Sequence, residues 1–517
     1  MHFRFVIRQL GLLLLVLSLA MVFATAWAIY DARSGHSDLA GTAEAVRAFL
    51  WSMGIGVAGG VALIAVGRGG GGHLGRREAL LLVALSWFVG AGLAALPFRL
   101  WAEFHTIGDG QDAAFGSFVN CYFEAMSGLT TTGATVLADI PTIPRALIFW
   151  RAFTHWLGGL GIVVLFVAVL PLLGVGGKRL FKVEATGPST EGVTPRIQET
   201  ARLLWFIYLG LTALEIVLLR VVDHTLTWFE VITHTFATLA TGGFSTTNAS
   251  AGGFGPGVQW VLILFMLLAG VNFGIYHQII SGKWKTALRN TELRAYLLIL
   301  LVAAVFVAWN IHGTWYDDTT GASTEHTGLG AVRDAVFQVV SIQTTTGFCT
   351  ANFDQWSFFA KAILIVLMFI GGCGGSTGGG IKVIRIVVAV KVMLAELERA
   401  FRPNVVRPVR VGSAMVDDQQ RLGILAYILG IIFLFVIGTL LLMGTESSSE
   451  IDSITAMTAA VATLNNIGPG LARVGAVENY AWFSDAGKLV MCVLMAVGRL
   501  EVFAILVIFV PRFWRTH

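Results

Sequence analysis

Four short loops in this chain carry residue types that suit the binding of a dehydrated monovalent cation. Three of them begin with threonine, and all four have glycine in the third position. The loops are Thr131-Thr132-Gly133, Thr241-Gly242-Gly243, Thr345-Thr346-Gly347 and Asn466-Ile467-Gly468. Backbone carbonyls replace the water shell of such an ion without a full negative charge that would trap it. They turn toward one axis only where the chain leaves helical geometry, which glycine tolerates. These loops are therefore the candidate ion-binding site.

The four loops belong to an internal repeat. Their third-position glycines recur at intervals of roughly a hundred residues, which is typical of repeated structural units. Each loop follows an apolar stretch too short to cross a bilayer, and each such unit lies between two full-length apolar spans. The short stretches are residues 115–129, 228–239, 329–342 and 451–464. One loop alone would more often be a helix-packing face, but four copies on one side of the membrane favour a selectivity filter around one pore.

A glycine-rich run interrupts the eighth apolar span. Apart from Cys373, it comprises Gly371, Gly372, Gly374, Gly375, Ser376, Thr377, Gly378, Gly379 and Gly380. Glycine disfavours helix by ~1 kcal/mol per residue relative to alanine, so the run predicts a broken helix. Non-helical backbone inside a membrane protein is expected to line a cavity. Two interpretations are open: a movable gate in the ion path below the filter, or a passive kink for packing.

Arg499 is the only lysine or arginine that falls well inside a predicted span. Inserting such a charge costs about 2.5–3.5 kcal/mol, so the side chain should face the protein interior. We expect it to project toward the ion path under the filter and to form an electrostatic barrier to cations. A structural ion pair, for instance with Glu215, is the alternative, because Glu501 lies on another side of the helix. Glu124, in the first short stretch, is expected to brace the filter through a hydrogen bond.

Membrane-spanning helices are the elements that must position these residues. Of the 517 residues, 56% are hydrophobic and 13% are charged, so the excess apolar surface must face something other than water. Ten spans are predicted, near 10–30, 45–67, 78–98, 146–176, 201–222, 257–281, 293–313, 359–398 (interrupted), 419–442 and 487–511. The first is long and is one of many, so it is interpreted as an uncleaved helix rather than a signal peptide. The fold class is an all-α polytopic membrane protein.

The distribution of charge predicts the orientation of these spans. Most lysines and arginines cluster in segments on one side, such as Lys283, Lys285 and Arg289, which places that side and both termini in the cytoplasm. Acidic residues gather on the outer side. There they either raise the local cation concentration or simply complement the basic inner face.

Several functional classes are disfavoured by the sequence. The four cysteines have no CxxC spacing, so neither a metal site nor a disulfide framework is indicated. No P-loop, nucleotide fingerprint or Ser-His-Asp set is evident, so we expect no enzyme, no covalently bound cofactor and no nucleic-acid partner. A proton-coupled transporter of another small solute is the alternative function, since Glu215 and Glu501 offer acidic groups near mid-membrane. The inverted repeats typical of that class differ from the same-orientation repeats of this chain.

Several segments resemble the Trk/Ktr/HKT superfamily of potassium transporters, and the resemblance extends from Leu80 onward. The segments are Ala95-Leu96-Pro97-Phe98, Phe123-Glu124-Ala125, Thr132-Gly133-Ala134-Thr135, His155-Trp156-Leu157-Gly158-Gly159, the run from Gly371 to Lys382, Asn465-Asn466-Ile467-Gly468-Pro469-Gly470 and Gly498-Arg499-Leu500-Glu501. The two spans before the first repeat resemble the additional N-terminal helix pair of the TrkH branch. All four filter positions hold glycine, which in this superfamily goes with potassium selectivity. None of the loops carries the full TVGYG of tetrameric channels, so selectivity against sodium is expected to be looser.

The resemblance implies potassium uptake across the inner membrane of a bacterium, with K⁺ bound at the four loops and the glycine-rich run as the gate. It also implies a homodimer in which each protomer has its own pore. A cytoplasmic ring of nucleotide-binding, Trk-type regulator subunits is the implied partner. Whether the flux is passive or coupled to protons or sodium stays open.

These observations divide the chain into an N-terminal helix pair and four repeats around one pore. Each repeat consists of a membrane helix, a pore loop and a second membrane helix. The predicted segments are 1–70 for the pair and 71–185, 186–287, 288–410 and 411–517 for the repeats. The third repeat has the broken second helix.

Overall fold

A helix pair at the N-terminus precedes the rest of the fold. The computed structural model describes residues 2–33, 41–69, 75–105, 113–168, 197–405, 408–412, 414–446 and 451–515. Helix α1 (Phe3–Arg33) packs along α2 (Thr42–Val66). Glycines let the two backbones approach closely, because a Cβ atom on Gly11 would lie 2.7 Å from the carbonyl oxygen of Gly60. The predicted extra helix pair is therefore present.

Four sets of helices follow, each in the order long helix, short helix, second long helix. The first contains α3 (Arg76–Phe104), the single turn α4 (Ala113–Gly116), α5 (Phe118–Leu129) and α6 (Arg145–Ala168). The second contains α7 (Ile197–Val222), α8 (Trp228–Leu239), α9 (Pro256–Ala269) and α10 (Phe273–Ile280), and α11 (Trp284–Leu288) connects it to the third. The third contains α12 (Thr291–Ile311), α13 (Gly328–Gln343), α14 (Phe358–Phe369) and α15 (Val383–Phe401). The fourth contains α16 (Asp418–Thr445), α17 (Ser453–Leu464), α18 (Asp485–Arg499), α19 (Phe503–Leu506) and α20 (Pro511–Trp514).

The short helices α5, α8, α13 and α17 coincide with the four predicted short stretches, so this prediction is confirmed. Three of them begin at a side chain that accepts a backbone N–H of the first turn: Ser117, Thr227 and Asp452. Thr227 also forms a capping box with Glu230. Such caps satisfy N–H groups that have no partner inside the helix, which fixes where a short helix starts.

Long apolar helices dominate the described part of the chain. Six of them are long and apolar enough to cross a membrane: α1, α2, α3, α7, α12 and α16. Two bent pairs pass the same test when each pair counts as one span. The all-α polytopic membrane architecture is therefore confirmed. Helix α6 matches the predicted span 146–176 as far as Ala168, and the rest of that span lies outside the described residues, as does the predicted boundary at 185.

Two spans that the sequence predicted as continuous are bent, so those predictions are wrong. The span 257–281 bends by 93° between α9 and α10, and the span 487–511 bends by 113° after α18. At the second bend Glu501 and Val502 have φ values of 59° and 56°, a left-handed conformation that ends an α-helix. Both bends lie within long stretches that are apolar on average, so hydropathy did not reveal them. The predicted break in 359–398 is confirmed, because α14 ends at Phe369 and α15 begins at Val383.

Two small antiparallel β-hairpins lie between the helices. Strands β1 (Thr314–Asp317) and β2 (Ser323–His326) pair between α12 and α13. Strands β3 (Arg410–Val411) and β4 (Ala414–Met415) pair between α15 and α16. These strands were not predicted from the sequence, because they are short and lie in polar connections.

Candidate functional site

The four short helices end in the same way, at the loops that the sequence singled out. The first loop residue is left-handed in every case, with φ of 54° at Thr131, 54° at Thr241, 60° at Thr345 and 56° at Asn466. The next N–H returns to a helix carbonyl: Thr132 to Ser127, Gly242 to Ala237 and Thr346 to Ser341 at 2.8 Å, and Ile467 to Ala462 at 2.9 Å. This is the Schellman arrangement of a helix C-terminus. A β-branched threonine in this region costs about 1–3 kcal/mol and persists only where its surroundings hold it.

The third loop residue is a left-handed glycine in all four loops, and these glycines close a ring. Their φ values are 82° at Gly133, 77° at Gly243, 83° at Gly347 and 97° at Gly468. A Cβ atom on each would crowd the carbonyl oxygen just before the glycine of the next loop: Gly133 against Gly242, Gly243 against Thr346, Gly347 against Ile467 and Gly468 against Thr132. The contacts run from the first loop to the fourth and back to the first. All four loops therefore surround one axis.

The dipoles of the short helices make the ring electrostatically favourable for a cation. Each ends at its loop, so the partly negative C-terminal end of its dipole lies at the ring. The loops are buried: Thr131, Thr241, Thr345 and Asn466 are all fully inaccessible. A ring of carbonyls backed by four helix C-termini favours a cation and disfavours an anion.

A buried ion pair braces the first loop. The Arg151 Nε donates to Glu124 Oε1 at 2.7 Å, and Glu124 also accepts from Thr135 Oγ1 at 2.9 Å and from the Val136 N–H at 2.9 Å. The predicted bracing role of Glu124 agrees with these bonds. Arg151 is only 1% exposed, so the fold buries a second arginine besides Arg499, one that the sequence did not single out. Arg151 escaped notice because it lies near the end of a predicted span.

The second loop is packed against the first repeat through Phe244, which follows its glycine. The Arg151 guanidinium lies 4.1 Å from the Phe244 ring centroid, and the His155 ring stacks on Phe244 with centroids 4.1 Å apart. A Cβ atom on Gly242 would overlap the His155 ring. The sequence placed His155 only in a family-like segment, and its contact with the loop depends on tertiary packing.

In the fourth loop, asparagine replaces threonine and links this loop to the first. The Asn466 Nδ2 donates to Thr132 Oγ1 at 3.0 Å and to the Met495 carbonyl at 2.9 Å. Asparagine also tolerates the left-handed conformation better than a β-branched residue. The departure from threonine thus keeps the loop geometry and adds a contact between repeats.

The glycine-rich run forms a loop packed against the ends of the short helices. Ser376 and Thr377 are fully buried. Thr377 Oγ1 donates to the Leu239 carbonyl at 3.0 Å, and the Gly379 N–H donates to Thr345 Oγ1 at 2.7 Å. The predicted irregular loop is therefore present. It contacts the last residue of α8 and the first residue of the third loop.

Two basic side chains hold consecutive carbonyls of this loop. The Arg499 Nη1 donates to the Thr377 carbonyl at 2.7 Å, and Nη2 donates to the Gly158 carbonyl at 3.4 Å. The Lys382 Nζ donates to the Gly378 carbonyl. No carboxylate pairs with Arg499 within the described ranges. Glu215, the alternative partner, is buried beside Thr238 and forms no ion pair there.

Glu501 pairs with a residue that the sequence did not suggest. Its carboxylate pairs with Arg385 in the first turn of α15, and the Arg385 guanidinium lies 4.0 Å from the Tyr427 ring centroid. The pair joins the broken second helices of the third and fourth repeats. Nothing in the sequence spacing relates two residues so far apart.

Asp354 joins the segments that follow the third and fourth loops. It lies in a short 3₁₀ turn (Phe353–Gln355) and accepts the Ala472 N–H at 2.8 Å. Burial raises the pKa of the Asp354 carboxyl above its ordinary value, although the Ala472 hydrogen bond opposes this. These two connections are therefore tied to one another.

Comparison with known proteins identifies the family. A family model described as "TrkH: Cation transport protein" matches residues 96–516. The Trk system potassium uptake protein TrkH of Salmonella typhimurium is 37% identical, and that of Escherichia coli K12 is 36% identical, each alignment covering 100% of both chains. The crystal structure of the potassium transporter TrkH from Vibrio parahaemolyticus matches with a TM-score of 0.84 and 34% identity, covering 100% of both chains.

These relatives are named as transport proteins, so the expectation that the chain is not an enzyme is confirmed. The suspected superfamily resemblance is confirmed as well, and with it the branch that carries the extra helix pair. The family model spans most of the chain, and the relatives align over its whole length. The chain therefore belongs to the TrkH family of cation transport proteins.

Proposed function

We propose that this protein takes up potassium across the bacterial inner membrane through the ring of four loops. The observation that carries the proposal is the ring itself, in which each filter glycine lies against the carbonyl preceding the next one. The relatives named as potassium uptake proteins support the choice of ion. The ion sheds its water at the outer mouth and is bound by the carbonyls of the loops.

The glycine-rich loop is the gate of this pathway. Its backbone lies at the ends of the short helices, where Thr377 and Gly379 contact the residues of two repeats. In this position it blocks the path from the ring to the cytoplasm. Because so many of its residues are glycine, the loop changes conformation with little steric hindrance.

Arg499 is the electrostatic barrier below the ring. Its guanidinium is buried and bonded to carbonyls of the gate and of α6, with no compensating carboxylate among the described residues. A passing cation therefore meets an uncompensated positive charge. The same hydrogen bonds hold the gate closed, so Arg499 acts on the ion and on the loop together.

The assembly in the cell is a homodimer bound to a cytoplasmic ring of nucleotide-binding regulator subunits, and both termini lie in the cytoplasm. The basic residues of the inner side support this orientation. The regulator opens the gate according to the nucleotide that it binds. No covalent cofactor is required, because binding and passage of K⁺ use only the backbone and side chains of this chain.

Ion flux in proteoliposomes tests the proposal. With a K⁺ gradient as the only solute gradient, purified protein should carry K⁺ inward, and Gly→Ser changes in the ring should alter the preference for K⁺ over Na⁺. A proton-coupled transporter of another solute would give no K⁺ flux under these conditions. That alternative is also disfavoured by the pairing of Glu501 with Arg385, which occupies one of its two candidate proton carriers.

A further inference from the structure

A buried carboxylate outside the glycine-rich loop holds that loop in place. Glu292 lies in the first turn of α12 and is 3% exposed. Its Oε1 accepts the Gly374 N–H at 2.6 Å and the Ile384 N–H at 3.2 Å. The first donor belongs to the loop and the second to the first turn of α15. One carboxylate oxygen therefore clamps the loop to the helix that follows it.

The electrostatics of this clamp are favourable. Ile384 is in the first turn of α15, where backbone N–H groups have no helical partner and the helix dipole favours an anion. Hydrogen bonds to an ionised carboxylate are roughly twice as strong as those between neutral groups. The clamp therefore resists displacement of Gly374 relative to α15.

The clamp is continuous with the connection between the second and third repeats. Asn290 caps α12 by accepting the N–H groups of Glu292 at 2.9 Å and Leu293 at 3.1 Å. At the other end of this connection, the Phe273 N–H donates to the Gly375 carbonyl at 3.1 Å. Both ends of the segment 273–292 thus bind neighbouring residues of the glycine-rich loop.

We propose that Glu292 is a positioning residue that couples the cytoplasmic connection 273–290 to the gate. A shift of this connection withdraws Glu292 from the Gly374 N–H and the Phe273 N–H from Gly375. The loop, which has few side chains of its own to hold it, is then released. This inference rests on the proposed function of the loop as the gate.

The test combines flux with the accessibility of Cys373, which is fully buried inside the loop. The protein carries Glu292→Ala or Glu292→Met in a background in which the other three cysteines are serine. Methionine keeps the side-chain length but removes the acceptor. We expect both variants to raise basal K⁺ flux in proteoliposomes severalfold, and to speed labelling of Cys373 by a methanethiosulfonate reagent by a similar factor. Glu292→Gln, whose amide oxygen still accepts the Gly374 N–H, should have a smaller effect.

Asp418→Ala is the matched control. Asp418 lies in the first turn of α16, the corresponding helix of the fourth repeat, and pairs with the nearby Arg421 at 3.1 Å while 88% exposed. It should leave flux and labelling at the wild-type level. If a folded Glu292→Met protein keeps wild-type flux and labelling while a shortened glycine-rich loop raises flux, the coupling role is wrong and the gate stands. If the shortened loop raises neither quantity, the gate itself is wrong, and this inference is overturned with it.

Discussion

Single residues set the geometry of the ring, and the strain in its backbone indicates where substitution will act on ion preference. Each loop has two left-handed residues, a threonine or asparagine and then a glycine, with one residue between them. The glycine has no side chain to collide with the neighbouring carbonyl. The threonine is tolerated because the helix C-terminus and neighbouring repeats fix it. What these four glycines share is that each lies against the backbone carbonyl of a neighbouring loop.

Gly133→Ser should admit more sodium relative to potassium. A Cβ atom at this position would overlap the Gly242 carbonyl oxygen, so the carbonyl must turn away and one quarter of the ring is distorted. Bi-ionic reversal potentials or paired K⁺ and Na⁺ uptake measure the ratio. Gly210→Ser is the control, since nothing lies within 4 Å of a Cβ atom there. An unchanged ratio in well-folded Gly133→Ser protein would contradict the assignment of Gly133 to the filter.

Arg499→Ala should raise flux by several-fold to tenfold with little change in ion preference. At an effective dielectric near 20, two like unit charges ~6 Å apart repel by roughly 3 kcal/mol. Each ~1.4 kcal/mol in a barrier is tenfold in rate, and nearby water reduces the effect. The alanine variant also loses the hydrogen bond to the Thr377 carbonyl, which acts in the same direction.

The lysine variant separates the two contributions at this position. Arg499→Lys keeps the positive charge, so it should retain most of the electrostatic barrier. It loses only the planar guanidinium that bonds two carbonyls at once. Flux is measured per assembled protein for both variants. A structural ion pair predicts reduced flux and poor assembly for alanine, because an acidic partner would be left buried and unpaired. Reduced flux in properly folded Arg499→Ala protein therefore rules out the barrier.

At the scale of elements, the second long helices share a common feature: three of them are broken. The second repeat bends at residues 270–272, the third is interrupted between Phe369 and Val383, and the fourth bends after Arg499. The second helix of the first repeat leaves the described residues after Ala168. A break leaves backbone groups without helical partners, and in the glycine-rich loop Arg499 and Glu292 bind such groups.

Deleting Gly378, Gly379 and Gly380 should raise basal K⁺ flux and weaken its dependence on the regulator's nucleotide. The two ends of the loop are joined by a hydrogen bond from the Gly371 N–H to the Ile381 carbonyl at 3.0 Å. A shorter loop cannot keep both this bond and the Thr377 contact with Leu239. Flux with and without the regulator is the measurement. Deletion of Thr320, Gly321 and Ala322 from the β1–β2 turn is the control of equal length. An assembled gate variant with unchanged flux would favour the passive kink.

At the scale of the whole molecule, the four sets of helices bring the four loops into one ring, and the glycine-rich loop packs against the helices that carry them. Each short helix ends at its loop, so the four helix C-termini meet at the ring. The α1–α2 pair packs outside this arrangement, where Trp27 of α1 stacks on Phe149 of α6 with ring centroids 5.5 Å apart. The ring therefore belongs to the four sets of helices, and the N-terminal pair packs against the first of them.

Site-directed labelling in intact cells should place the two sides of the molecule. Ser323→Cys, in the exposed β1–β2 hairpin, is expected to react with a membrane-impermeant maleimide from outside. Lys283→Cys, in the exposed connection before α11, should react only after the membrane is permeabilised. The reason is the basic bias of the inner segments. Reaction of both variants, or of Lys283→Cys alone, from outside would contradict cytoplasmic termini.

The sequence by itself determined the membrane class, the short helices, the four loops and the break in the eighth span. These features depend on local chemistry: apolar length, glycine content and the spacing of the repeat. The glycines at positions 133, 243, 347 and 468 have backbone conformations that other residues adopt poorly, so the residue type alone indicates the loops. Glu124 was recognised from the sequence because it is a charged residue inside a short apolar stretch.

The tertiary structure alone decided which residues meet. The ring order, the Arg151 brace behind the first loop, the Arg385–Glu501 pair and the Glu292 clamp all join residues far apart in sequence. The bends after Ala269 and Arg499 were also hidden, because each lies within a stretch that is apolar and long enough on average to count as one span. Such contacts arise from how repeats pack, and a buried charge in a sequence has no partner until the helices around it are in place.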